Sequence, residues 1–244
     1  MTHLFLHPGL GKSGSTALQA YWNANSQVLA QHGFHYPFTG REPWDRLAMR
    51  RDAHHLLSAA MRGKIPRLEF ADFSPLLERE AARCHQPNLL ISSESISARV
   101  ARPLLDLFPE VTVLLVVRHP QEMRYSDYLE RVKSNLYTGT FNEFVLDYRR
   151  NQRFSDGVGD WQKVCATRGF HFRAITYSRD RLFSAVMTVL DMPPPDSKDI
   201  PFVNERMPST VYEFKRVTNR DADHLTGGAI SRFLEAHAPR LQLM

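Results

Sequence analysis

His7-Pro8-Gly9-Leu10-Gly11-Lys12-Ser13-Gly14-Ser15-Thr16 follows a short apolar run, Leu4-Phe5-Leu6, and precedes a segment with helical periodicity. The order reads as strand, glycine-rich turn and helix N-terminus, the geometry of a phosphate cradle. Glycines let the backbone approach an anion closely, and the unpaired N–H groups of a helix start point at it. Lys12 and the hydroxyls of Ser15 and Thr16 add charge and donors. A Walker A loop ends Gly-Lys-[Ser/Thr] after four intervening residues. Here the lysine precedes the last glycine, as Lys12-Ser13-Gly14-Ser15-Thr16, so the loop is of another kind.

Outward from the loop, Leu18, Tyr21, Trp22, Asn25, Val28 and Leu29 recur at three- and four-residue spacing and predict a helix that ends near Gly33. The stretch 38–73 shows no clear strand and is expected to hold an irregular loop with one or two short helices, an insertion able to cover an acceptor. Strands are predicted at Asn88 to Ser92, Val111 to Val117 and Phe170 to Tyr177. Helices are predicted at about Pro75 to Cys84, Val100 to Phe108, Pro120 to Lys133, Phe141 to Arg150, Gly157 to Thr167, Arg179 to Leu190, Thr210 to Asn219 and Gly228 to His237. The triple proline Pro193 to Pro195 ends the strand and helix unit of 170–190, and within 192–209 the stretch Ile200 to Pro208 reads as an extended surface loop. Strands alternating with helices imply an α/β fold: one P-loop-type domain over 1–244, its parallel sheet covered on both faces and its ligand at the carboxyl ends of the strands.

Composition sets bounds on function. The chain has 244 residues, 43% hydrophobic and 23% charged, ordinary for a globular protein. No run reaches membrane-spanning length. A signal peptide is not expected, because its removal would destroy a site that starts within the first ten residues, and a cytoplasmic location follows. Cys84 and Cys165 lack ligand-like spacing, so neither a disulfide framework nor a metal site is expected. The net charge of +5 suits an anionic ligand, but no basic run with interleaved aromatics marks a nucleic-acid surface. Oligomeric state is not legible.

Parallel strands would bring three polar clusters to one edge: 9–16, Ser92-Ser93-Glu94-Ser95, and Arg118 with the helix behind it. Glu94 reads either as a general base, its pKa raised by desolvation at the end of a buried strand, or as a strand terminator or helix cap. Arg118, held directly after an apolar strand, suits bidentate phosphate recognition or a structural salt bridge. His54 and His55 read as a base or sugar contact, or as helix-surface or core residues. Trp44 reads as a stacking platform or a packing anchor. Ser126, taken alone, is unremarkable.

The loop from Leu6 to Gln19 resembles the 5′-phosphosulfate loop of sulfotransferases that use 3′-phosphoadenosine 5′-phosphosulfate (PAPS), above all bacterial ones and carbohydrate sulfotransferases. Val116-Val117-Arg118-His119-Pro120, followed by Tyr125-Ser126-Asp127-Tyr128, resembles their 3′-phosphate motif. The resemblance implies that Lys12, Ser13, Gly14, Ser15 and Thr16 hold the 5′-phosphate, with Lys12 also at the bridging oxygen. It implies that Arg118 and Ser126 bind the 3′-phosphate, that Glu94 is the catalytic base, and that Tyr177 lies near the adenine. Ser178 stands where that family has Glu after the tyrosine. Val203-Asn204-Glu205-Arg206 resembles a loop that closes over the nucleotide, with Arg206 as a phosphate contact. The implied reaction moves a sulfuryl group from PAPS to a hydroxyl or amine of a carbohydrate or glycosylated metabolite, without a metal. Two other readings stand beside it: a P-loop kinase or nucleotide hydrolase, and a nucleotide-binding partner protein without catalysis.

Overall fold

The computed structural model describes residues 2–41, 52–65, 68–94, 96–134, 136–151, 154–200, 209–220 and 228–234. In chain order the elements are β1 (His3–His7), α1 (Ser15–Ala24), α2 (Ser26–Gln31), β2 (Phe34–His35), α3 (His55–Met61), α4 (Phe70–Arg83), β3 (Asn88–Ser92), α5 (Arg102–Leu105) and β4 (Glu110–Val117). Then follow α6 (Pro120–Ser134), α7 (Phe141–Asn151), α8 (Phe154–Arg168), β5 (His171–Thr176), α9 (Leu182–Val189) and α10 (Ser209–Thr218). The strands form one five-stranded sheet in the order β2-β3-β1-β4-β5, and every pairing is parallel. From β1 the chain crosses to β2 on one side, whereas from β4 it crosses to β5 on the other. Their carboxyl ends therefore flank the topological switch point, where open α/β sheets take ligands.

The chain gathers into two compact units. The first runs from the N-terminus to Arg118 and from Phe154 to Pro201; the second is His119 to Arg153 with the chain from Phe202 onward. In the first, period-two alternation along the strands sorts the core into two layers. Leu4, Leu6, Leu89, Ile91, Val113 and Leu115 face α3, α4, α5 and α8, whereas Leu90, Leu114, Val116 and Ile175 face α1, α2 and α9. Burial on both faces explains why β4 is apolar from Val111 to Val117 save for the buried Thr112. The second unit packs α6 against α7 and α10. Asn219 at the end of α10 donates through Nδ2 to the carbonyls of Val132 (2.8 Å) and Tyr137 (3.0 Å), and the fully buried Lys215 donates to its Oδ1. Among the described residues no helix is long and apolar enough to cross a membrane.

Local chemistry accounts for the departures from expectation. The first helix breaks at Asn25, whose N–H and Nδ2 both donate to the Tyr21 carbonyl, each at 2.9 Å, ending α1 and letting α2 begin. Strand β2 is too short to produce a pattern. Helix α4 starts before Pro75, not at it. Glu69 and Asp72 form a reciprocal capping box, and the Ser74 hydroxyl donates at 3.5 Å to the Ala71 carbonyl that Pro75 cannot serve.

Candidate functional site

The His7 carbonyl at the end of β1 accepts the N–H of Gly9 and that of Ser93, each at 3.1 Å, so one oxygen ties the loop to the end of β3. At Gly9 a Cβ would lie 2.4 Å from Ser15 Oγ and 3.1 Å from Glu94 Cγ. Only glycine fits, and Glu94 thus borders the cradle. Lys12 (φ 64°) and Gly14 (φ 84°) turn the chain through the left-handed region. Gly14 is the N-cap of α1. A Cβ there would meet Leu182 Cδ2 at 2.5 Å and Tyr177 Cε2 at 3.0 Å. By helix geometry the N–H groups of Ser15 and Thr16 have no partner within α1, and they form its positive end.

The hydroxyls of the loop divide. Ser13 and Ser15 are buried; Ser13 Oγ donates to the Leu10 carbonyl and lies 3.4 Å from Ser15 Oγ. They shape the loop from inside, while Lys12 and Thr16 are partly exposed. Arg118, just past β4, donates through Nη1 to the Lys12 carbonyl at 3.0 Å, and its guanidinium carbon sits 4.7 Å from the centre of the Tyr177 ring. Tyr177 is fixed by its own N–H, which donates to the Val117 carbonyl at 2.7 Å.

Behind Glu94 lies a polar cluster that sequence reading grasped only in part. Ser92 is its hub: Gln19 Nε2 donates to its Oγ at 3.0 Å, and His7 Nδ1 lies 2.8 Å from the same oxygen. The Ser92 N–H donates to His54 Nδ1 (3.1 Å), its carbonyl accepts the His54 N–H (2.8 Å), and His54 Nε2 donates to the Pro37 carbonyl (3.0 Å). His54 is fully buried with both ring nitrogens engaged, so it clasps the edge of β3 beyond the reach of β2. His55 instead brings Nδ1 to 3.4 Å from Ser93 Oγ, at the strand end that carries Glu94. Gln19 escaped attention, although a polar residue on the apolar face of an amphipathic helix was a signal for it. Glu94 is exposed, which corrects the expectation of tuning by desolvation: β3 ends at Ser92 and Glu94 stands two residues beyond it. Ser126 lies within α6, in the second unit. Trp44 and Arg206 lie outside the described residues.

Burial alone holds the His7 imidazole down at about 4, and burial, with Arg41 nearby, holds His54 down at about 3. Both values lie below the ordinary 6.5, so the unfolded chain takes up these protons first. Their contribution to stability is complete above pH 6.5. It is lost as pH falls toward 4 for His7 and 3 for His54, at up to about 1.4 kcal/mol per pH unit for each. Urea midpoints measured from pH 7.5 to 5 should therefore fall with acidity, and less steeply in a His54→Gln variant; equal slopes would contradict the assignment.

A groove of about 650 Å³ lies within the second unit, between α6 and α7. Tyr125, Phe141, Val145 and Leu146 give it an apolar wall, and Gln121 and Arg124 contribute polar groups. No predicted site residue lines it.

No family model matches the sequence, and no curated protein matches it. Among solved structures, a sulfotransferase from Alicyclobacillus acidocaldarius is similar at 16% identity and a TM-score of 0.47, covering 95% of this chain and 99% of that one. Retinol dehydratase in complex with retinol and PAP is similar at 13% identity and a TM-score of 0.38, covering 81% of this chain and 62% of that one. Its complex with androsterone and the inactive cofactor PAP gives 12% identity and a TM-score of 0.38, covering 89% and 64%. The chain spans under two thirds of retinol dehydratase. At these identities and scores the likeness says nothing about activity.

Proposed function

We propose that the chain is a PAPS-dependent sulfotransferase. The observation that carries this reading is the placement of Glu94 and Arg118 on the same glycine-rich loop, one beside Gly9 and the other bonded to Lys12. A kinase-like phosphate loop needs an acidic residue closing a core strand for its magnesium; here the residue just past β4 is Arg118. The donor set fits a nucleotide with two separate phosphates. The helix N-terminus, Lys12, Thr16 and the main-chain N–H groups of Ser13, Gly14 and Ser15 would take the 5′-phosphate, and Arg118 the 3′-phosphate. The resemblance gives Ser126 and Arg206 phosphate roles as well, and places Tyr177 near the adenine.

PAPS bound there supplies the sulfuryl group and departs as adenosine 3′,5′-bisphosphate. The Lys12 ammonium neutralises charge gathering on the bridging oxygen as its bond to sulfur breaks. Glu94 takes the proton of the acceptor hydroxyl or amine as the new bond to sulfur forms. The loop and Arg118 hold the donor in place for in-line attack, a contribution of positioning. A sulfuryl group carries less charge than a phosphoryl group, so the reaction does not call for a metal.

On the resemblance the acceptor is a carbohydrate or glycosylated metabolite. A hydroxyl on a lipid or small alcohol is the second acceptor class, since acceptor specificity lives in loops that a fold does not fix. Turnover is expected with PAPS in EDTA and not with ATP and magnesium, and the reverse result would establish the kinase reading. Screening sugars and apolar alcohols as acceptors by mass spectrometry of the sulfated product separates the two acceptor classes.

A further inference from the structure

We propose that Arg118 is a positioning residue for Lys12, bracing the left-handed turn of the loop in addition to meeting a phosphate. This rests on the sulfotransferase reading for what Lys12 then does. Lys12 carries a side chain at φ 64°, a conformation L residues avoid unless their surroundings enforce it. It lies ahead of the Gly14 N-cap, outside the ladder of α1, so the helix does not hold its carbonyl. Arg118 does, through Nη1 at 3.0 Å.

The guanidinium is held in turn. It lies over the Tyr177 ring at 4.7 Å, the Tyr177 N–H donates to the carbonyl of Val117, and the edge of the ring packs against Gly14. The ends of β4 and β5 and the loop thus close a ring: Val117 to Tyr177, Tyr177 to Gly14, Arg118 to Tyr177, Arg118 to Lys12. Arginine suits this position because its flat fork can stack and donate at once, which a lysine ammonium cannot do. A group that bound only the 3′-phosphate would leave ligands lacking that phosphate unaffected. A brace on Lys12 would not.

Titration calorimetry with adenosine 3′,5′-bisphosphate and with adenosine 5′-monophosphate distinguishes the two roles. Arg118→Ala and Arg118→Lys should both weaken adenosine 5′-monophosphate by about tenfold, the effect of one lost charge-assisted hydrogen bond. Arg118→Ala binding that nucleotide within about twofold of the unmutated chain, while losing the bisphosphate, would overturn the brace. Failure of the unmutated protein to bind either nucleotide would instead remove the sulfotransferase reading. The brace is then decided by hydrogen exchange in the unliganded protein. Amides of residues 9–16 should exchange faster in Arg118→Ala and unchanged in Tyr177→Phe, which keeps the ring; equal protection in all three proteins refutes it.

Discussion

Glu94→Gln is expected to lower kcat for sulfuryl transfer by about two to four orders of magnitude, the usual contribution of a positioned base. Affinity for adenosine 3′,5′-bisphosphate should stay within about twofold, because glutamine keeps the size of the side chain and removes only its ability to accept a proton. The packing at Gly9 makes this substitution informative. Glu94 Cγ sits against the glycine, so an isosteric amide leaves the loop as it is, whereas a smaller residue would open a gap there. Single-turnover kinetics with saturating PAPS measures the chemical step directly. His55 is the control, since its ring reaches the same strand end through Ser93. Should Glu94→Gln keep more than about a tenth of the activity while His55→Ala loses it, the imidazole is the base and Glu94 is not.

The parts of this fold that were legible from sequence are those set by local pattern. Strand β3 was read at its observed limits and β4 to within one residue, because each is an apolar run bounded by turn residues and buried on both faces. The convergence of the loop, Glu94 and Arg118 followed from parallel topology alone, since residues past the carboxyl ends of neighbouring parallel strands must share an edge. What pattern does not encode is how side chains meet across that edge. His54 and His55 are neighbours in sequence, yet one clasps Ser92 from inside the core and the other faces Ser93. The packing of Arg118 on Tyr177 joins residues from different strands, and Gln19 has meaning only once Ser92 lies opposite it. The structure corrects only the burial expected of Glu94, for a related reason. Burial of a strand does not extend to the second residue beyond it.

Lys12 separates strain from chemistry, and glycine is the substitution that does so. Lys12→Gly should lower kcat by about two to three orders of magnitude, the loss typical of removing one preorganised stabiliser of a developing oxyanion. The same change should leave thermal stability equal or higher. Glycine adopts φ 64° without steric cost, and a lysine held there stores about 1 kcal/mol or more, offset in part by the entropy glycine adds to the unfolded chain. Lys12→Ala loses the charge too but keeps the strain, so the two variants should match in kcat and differ in melting temperature. Lys12→Arg should fail to restore the rate, because a broad planar guanidinium cannot replace a compact ammonium as a point charge on one bridging oxygen. Melting curves for the three variants, set beside single-turnover rates, test the account. A rate loss that followed the melting temperature would make Lys12 a structural residue of the loop, and a rate independent of all three would remove it from the chemistry.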